Sequence, residues 1–370
     1  MQSSVEYCFL WDAWGASFLL PKKQANLKGM IQIENRNITF ATITSVHRER
    51  YGVLSGMGEG FARLKTSEFY EGNAEYPTVG DKVEMEYISN GDSRIIKTLP
   101  RLSIFTRTEP GNARLAAQAV AANFDYVFIV QSMNKGFNIA LLERYLASAW
   151  QTGAEPVVVL TKLDICENPG DYLAEALRIA SGVQIFAVSA ITGEGMDAVL
   201  PYFWEGKTVV LLGSSGAGKS TLVNAVAGET VMSTAEIRED DARGRHTTTH
   251  RQLLFMPQGG RVIDTPGMRE LGLWDAGDGL RETFKDVEEI LERGCRFSDC
   301  KHEKEPGCAL RAALVSGELE EERWARYKKL ERENMTTEQR AEYYRTRSEL
   351  FKTYQKNSRE RKKAGLKKGE

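Results

Sequence analysis

The chain has 370 residues, of which 42% are hydrophobic and 27% charged; this suits two or three globular domains and excludes a collagenous, mucin-like or wholly disordered polypeptide. Its net charge of −2 conceals a division, because residues 323–370 carry sixteen Lys or Arg against seven Asp or Glu, leaving 33 basic and 44 acidic residues in 1–322. A basic end on an acidic body suits a polyanionic partner, or a solvated helix kept soluble by lysines.

The most apolar window, 115–133, contains Gln118, Asn123 and Asp125 and reads as a helix followed by a strand, so no membrane span is expected. The first basic residue is Lys22, and no positive stretch leads into an apolar core as in a secretory signal. Three of the five cysteines crowd into 295–308, which points to metal binding in a reducing, cytoplasmic setting.

Residues 1–36 show no sustained period and are set apart as an N-terminal extension of open role. Over 37–104, alternating runs at 38–46, 51–54, 61–64, 83–87 and 95–96 are separated by glycines. Val83, Met85 and Tyr87 share one face there, and Glu84 and Glu86 the other. About five short strands in such a span predict an all-β barrel of the OB-fold type.

From 105 to 275 the rhythm changes to apolar strands (126–130, 156–160, 184–188, 208–212, 261–263) alternating with helices near 139–150, 172–180, 196–203 and 219–227. That pattern predicts a mainly parallel α/β sheet with ligands at the carboxyl ends of its strands. A charged, helical segment with the cysteine cluster follows at 276–322. Residues 323–370 read as a basic helical tail with a disordered end.

Gly213, Ser214, Ser215, Gly216, Ala217, Gly218, Lys219 and Ser220 match G-x-x-x-x-G-K-[ST] in full, after an apolar strand and before a helix. In such a loop the backbone N–H groups and the helix N-terminus face phosphates, Lys219 reaches the β/γ-phosphates and the Ser220 hydroxyl ligates Mg²⁺. Thr221 is placed near the α-phosphate. Asp264, ending a strand before Thr265, Pro266 and Gly267, is the expected second Mg²⁺ anchor, with the Gly267 N–H open to a γ-phosphate.

Thr161, Lys162, Leu163 and Asp164 close another strand. The Asp164 carboxylate suits N1–H and the exocyclic amine of guanine, donors that adenine lacks, and the Lys162 stem can lie along the base. Ser189 and Ala190 end the next strand and supply the N–H expected at guanine O6. These base-side elements precede the phosphate loop in the chain, whereas most GTPases have the reverse order. The order resembles that of the circularly permuted GTPases.

Cys295, Cys300, His302 and Cys308 supply three thiolates and an imidazole, which saturates a tetrahedral Zn²⁺ and reads as a structural site. Barrel, permuted GTPase and knuckle together resemble the ribosome small-subunit-dependent GTPase A (RsgA/YjeQ) family over roughly 38–320. The resemblance includes Gly244 to Thr249 and Asp264 to Trp274. It implies GTP hydrolysis stimulated by the small ribosomal subunit and a role in that subunit's late maturation, with rRNA as a contact. Nothing demands more than a monomer.

For catalysis we expect a threonine of 247–249, taken as Thr248, to join the Mg²⁺ shell, and His246 to orient the attacking water once a partner positions it. His250, Arg243 and Arg245 are weaker candidates. Met268 stands where Ras-like enzymes place a water-orienting Gln, so intrinsic hydrolysis should be slow. The competing readings are a P-loop small-molecule kinase, which would prefer ATP, and an RNA-binding module that holds GTP as a structural ligand.

Overall fold

The computed structural model describes residues 37–47, 50–65, 76–107, 118–232, 251–264 and 277–334, together with the backbone of 7–11 and 17–21. Strands β1 (Tyr7–Trp11) and β2 (Ser17–Pro21) form an antiparallel ladder that pairs Tyr7 with Pro21. This hairpin lies in the stretch where no sequence period is evident.

The barrel expected at 37–104 is present. It comprises β3 (Ile38–Val46), β4 (Tyr51–Ser55), β5 (Gly58–Leu64), β6 (Lys82–Glu86) and β7 (Ser93–Thr98). Pairing runs β3-β4-β5-β7-β6 and returns to β3, so the five strands close on themselves. Alternation drives the closure: Ala41, Ile43, Tyr51, Val53, Ala62, Val83, Met85 and Ile95 fill the interior.

Strands β8 (Ile104–Arg107) and β9 (Gln118–Ala122) form an antiparallel pair. A helix was expected to open the 115–133 window, but residues 118–122 are strand. Ala119, Ala121 and Ala122 favour a helix by propensity, yet the burial of Val120, Ala121 and Ala122 overrides that preference.

The α/β sheet contains β10 (Tyr126–Ser132), β11 (Glu155–Thr161), β12 (Gln184–Ala187), β13 (Thr208–Leu212), β14 (Gln252–Phe255) and β15 (Arg261–Asp264). Their spatial order is β12-β11-β10-β13-β15-β14, parallel except for β14. The helices are α1 (Ile139–Trp150), α2 (Pro169–Ile179) and α3 (Lys219–Ala227).

Successive residues of the central strands face opposite layers. Val127, Ile129, Val158, Leu160, Val210 and Leu212 pack with Leu142 and Leu146 of α1. Phe128, Val130, Val157, Val159, Val209 and Leu211 pack with Leu222, Val223 and Val226 of α3. Each such side chain contributes about 1.5–3 kcal/mol through burial, so the sheet centre is the most firmly held part of the chain.

Three further expectations are corrected. The helix near 196–203 is two 3-10 turns, Met196–Ala198 and Leu200–Phe203, the second with Pro201 in its first turn. Strand β14, which sequence reading omitted, borders β15. The tail expected from 323 begins inside a helix whose Trp324, Tyr327 and Leu330 are buried, so 323–334 belong to a packed domain.

That domain comprises α4 (Gly277–Thr283), α5 (Lys285–Glu292), α6 (Ala309–Ser316) and α7 (321–334). It docks on α1 through Gly279, where an added Cβ would lie 2.0 Å from the Ala147 carbonyl oxygen. Glu143 of α1, 0% exposed, accepts from Arg323 at 2.8 Å and from Arg326 at 2.8 Å, and Arg323 also donates to Asp286 at 2.8 Å. Among the described residues, no helix is long and apolar enough to cross a membrane.

Candidate nucleotide site and metal centre

The candidate site lies at the carboxyl ends of β13, β11 and β15. Strand β13 runs into the 213–218 loop and then α3. The loop begins at Gly213, whose φ is +153°; a Cβ there would sit 2.4 Å from the Val130 carbonyl oxygen, so the tight approach of the loop to β10 needs glycine. Lys219 opens α3 and its Nζ donates back to the Gly213 and Ser214 carbonyls at 2.7 and 2.8 Å. The ammonium is thereby held over the loop that the motif assigns to phosphates. Ser220 and Thr221 follow on the first turn of α3.

On the base side, Thr161 ends β11 fully packed, and its hydroxyl donates to the Ala217 carbonyl at 2.6 Å. This bond spans the intervening strand β10 and ties the expected guanine element to the phosphate loop. Lys162 then takes a left-handed φ of +66°, and a single 3-10 turn (Leu163–Ile165) presents Asp164 at the surface. Ser189 is buried beneath it. The Ser189 hydroxyl donates to Asp164 Oδ1 at 2.7 Å and accepts from the Thr192 N–H at 3.1 Å. The Leu163 N–H donates to the Val188 carbonyl at 3.2 Å, so the two strand tips are locked together beside Ala190.

Asp264 ends β15, next to β13. Burial pushes its carboxyl above the usual range, and the Lys219 charge only partly offsets this. A half-buried carboxylate within reach of the Lys219 charge at the end of β15 has the chemistry to take a divalent cation, which would relieve the cost of ionisation. The other expected residues on this side, His246, Thr248 and Gly267, lie outside the described residues, as do His250, Met268, Arg243 and Arg245.

The four knuckle residues converge. Their ligand atoms all lie within 4.8 Å of one another. His302 Nδ1 is 3.5, 3.7 and 3.4 Å from the sulfurs of Cys295, Cys300 and Cys308, and the Cys295 and Cys308 sulfurs are 3.8 Å apart. Zn–S bonds of about 2.3 Å at tetrahedral angles set sulfurs ~3.8 Å apart, so the donor set fits that ion and can hold a metal with no open position. Cys308 caps α6, its sulfur accepting from the Arg311 N–H at 3.5 Å. Burial pushes the Cys300 thiol up to about 11, whereas a hydrogen bond from the Ala309 backbone holds the Cys295 thiol below its usual range.

Gln252, the first residue of β14, was not singled out from sequence. The signal was available: the apolar Leu253-Leu254-Phe255, then Pro257, Gln258, Gly259 and Gly260, then Arg261-Val262-Ile263 is a hairpin pattern.

A family model described as RsgA GTPase matches residues 98–274. A second, described as ABC transporter, matches 197–357, a span that holds the phosphate loop but not Thr161–Asp164. The chain is 44% identical to the small ribosomal subunit biogenesis GTPase RsgA 1 of Listeria monocytogenes over 80% of this chain and 83% of that protein. It is 41% identical to the RsgA 1 of Oceanobacillus iheyensis, covering 92% and 96% respectively. It resembles the crystal structure of YjeQ from Thermotoga maritima with a TM-score of 0.60 and 28% identity, covering 79% of this chain and 97% of that one. YloQ, described as a circularly permuted GTPase, shares the fold at a TM-score of 0.56 and 22% identity over 81% of this chain and 96% of that one.

Proposed function

Because the chain belongs to the RsgA GTPase family, whose members are circularly permuted GTPases, we propose that it hydrolyses GTP to GDP and phosphate during biogenesis of the small ribosomal subunit. The small subunit is the proposed stimulating partner, with rRNA as the contact. We place this activity in the cytoplasm and in a monomer, with the barrel at 37–104, the GTPase domain at 105–275 and the zinc-binding domain beyond.

Hydrolysis of a phosphoanhydride needs positioning and charge neutralisation more than covalent help. In our reading the N–H groups of 213–218 and the Lys219 ammonium cradle the β/γ-phosphates, and Thr221 faces the α-phosphate. Ser220, Asp264 and Thr248 would hold Mg²⁺, which would supply positive charge to neutralise the phosphates. The Gly267 N–H would meet the γ-phosphate, and His246 would orient the water. Asp164 accepts from guanine N1–H and the exocyclic amine, the Lys162 stem lies along the ring and the Ala190 N–H meets O6. Cys295, Cys300, His302 and Cys308 hold structural zinc.

One observation supports the reading most: the Thr161 hydroxyl, 2.6 Å from the Ala217 carbonyl, ties the turn at 161–164 to the phosphate loop. The absence of a water-orienting Gln at Met268 predicts slow hydrolysis alone. Single-turnover assays with and without purified small subunits test this. The expected result is a rate that rises with subunits; an unchanged rate overturns the partner. We further infer that GTP favours the subunit-bound arrangement and hydrolysis favours release. Equal subunit affinities with GDP and with a non-hydrolysable GTP analogue would reject that.

A further inference from the structure

The barrel and the α/β sheet join through one register pair among the described residues. Gln252 of β14 pairs with Ser45 of β3 on one side and with Asp264 of β15 on the other. Strand β14 has only four residues, and so short a strand, paired on both sides, owes its position to its neighbours. In sequence, Gln252 stands three positions after Thr249.

A second contact ends at the same place. The barrel turn at 78–81 is braced by Asp81, which accepts from the Thr78 N–H at 2.7 Å and from Arg101 Nε at 2.8 Å. It reaches β9, where Val79 bridges Ala121 and the Ala122 N–H donates to the Val79 carbonyl at 3.0 Å. Gly80 has φ +89°, and a Cβ there would lie 2.0 Å from the Ala122 carbonyl oxygen and 3.0 Å from Ile263 Cδ1. Asn123 Nδ2 donates to the Gly80 carbonyl at 3.1 Å. Ile263 immediately precedes Asp264. One barrel contact therefore rests on the strand partner of Asp264, and the other, made with β9, lies in the same core cluster as its predecessor.

We propose that the barrel positions the magnesium side of the nucleotide site, with Ser45, Gly80, Asn123 and Gln252 as positioning residues, so that a partner holding the barrel sets the hydrolysis rate. This rests on the reading of the chain as a GTPase stimulated by the small subunit. The physical basis is differential: the proposed guanine side is fixed by bonds that the barrel does not touch, whereas Gln252, the strand partner of Asp264, is paired with the barrel. Coupling is reciprocal for binding, so a triphosphate in the site favours the barrel arrangement that the partner binds.

The test compares Gly80→Ala and Asn123→Gly in the full chain with Gly58→Ala as control. Gly58 also has a positive φ, +100°, but a Cβ there meets nothing within 4 Å, so this variant brings the same backbone strain into the barrel without disturbing the contact. Asn123 has φ +54°, which glycine adopts freely. Readouts are single-turnover GTP hydrolysis with and without purified small subunits, its Mg²⁺ dependence, GDP affinity by calorimetry and subunit binding in the GDP state.

We expect Gly58→Ala to be stimulated like the unaltered chain, and Gly80→Ala to lose at least roughly tenfold of the stimulation while needing more Mg²⁺. GDP affinity and GDP-state subunit binding stay within about twofold. Asn123→Gly shows a smaller loss in the same direction, and decides the matter if Gly80→Ala does not fold. Stimulation unchanged in the folded variants, or lost only in proportion to weaker subunit binding, overturns the inference. An unaltered chain that subunits do not stimulate overturns the functional reading itself, and the inference with it.

Discussion

The two halves of the proposed nucleotide site are built differently. The proposed guanine half lies at the ends of β11 and β12 and is tied to the phosphate loop: Thr161 is bonded to Ala217, Ser189 to Asp164, and the Leu163 N–H to the Val188 carbonyl. The proposed magnesium half lies on β15, next to the four-residue β14, with the barrel close to both through Ser45 and Gly80. Recognition is thus assembled from fixed parts, and the side where chemistry occurs is assembled from parts that another domain flanks. This suits the proposed turnover on contact with a partner.

Substitutions can separate the halves. The largest effect is expected for Asp264→Ala, which should lower the subunit-stimulated single-turnover rate by about 10²-fold, within the range for loss of one electrostatic catalytic group, while leaving the preference for guanine over adenine intact. Asp164→Asn should do the converse. It exchanges an acceptor for a donor opposite the base, and competition calorimetry should show guanine preference falling roughly 10–100-fold with the rate at saturating GTP preserved. Ser189→Ala removes only the hydroxyl that holds Asp164, so GDP affinity should weaken by about 3–10-fold, as for the loss of one hydrogen bond. Chelation of the knuckle metal should leave both halves unchanged in GDP affinity. The amides of α6 and α7 should lose hydrogen-exchange protection, because Cys308 caps α6 and the knuckle packs on Trp324.

Much of this was legible in the sequence. The barrel strands declared themselves by period-2 alternation, with Val83 and Met85 buried as their spacing required. The phosphate loop, the Thr161–Asp164 turn and the four knuckle ligands each carry a spacing that only their local geometry explains. Tertiary pairing is what local pattern could not reveal. Gln118–Ala122 is helical by propensity and a strand by burial, and Pro201 breaks a helical-looking run into 3-10 turns. The basic count from 323 onward masked the apolar stripe of Trp324, Tyr327 and Leu330, together with an Arg323 whose charge is spent on Glu143 and Asp286 inside the fold. Register between distant strands, as between Ser45 and Gln252, leaves no mark in either segment alone.

The central claim is that the base-side and phosphate-side strand tips form one guanine-specific pocket. Calorimetric titration of the purified chain with GDP and with ADP in the presence of Mg²⁺ tests it most directly. The account predicts saturable 1:1 binding of GDP, with ADP weaker by roughly 10²-fold or more because it leaves Asp164 unpaired. Equal affinity for the two nucleotides would contradict it.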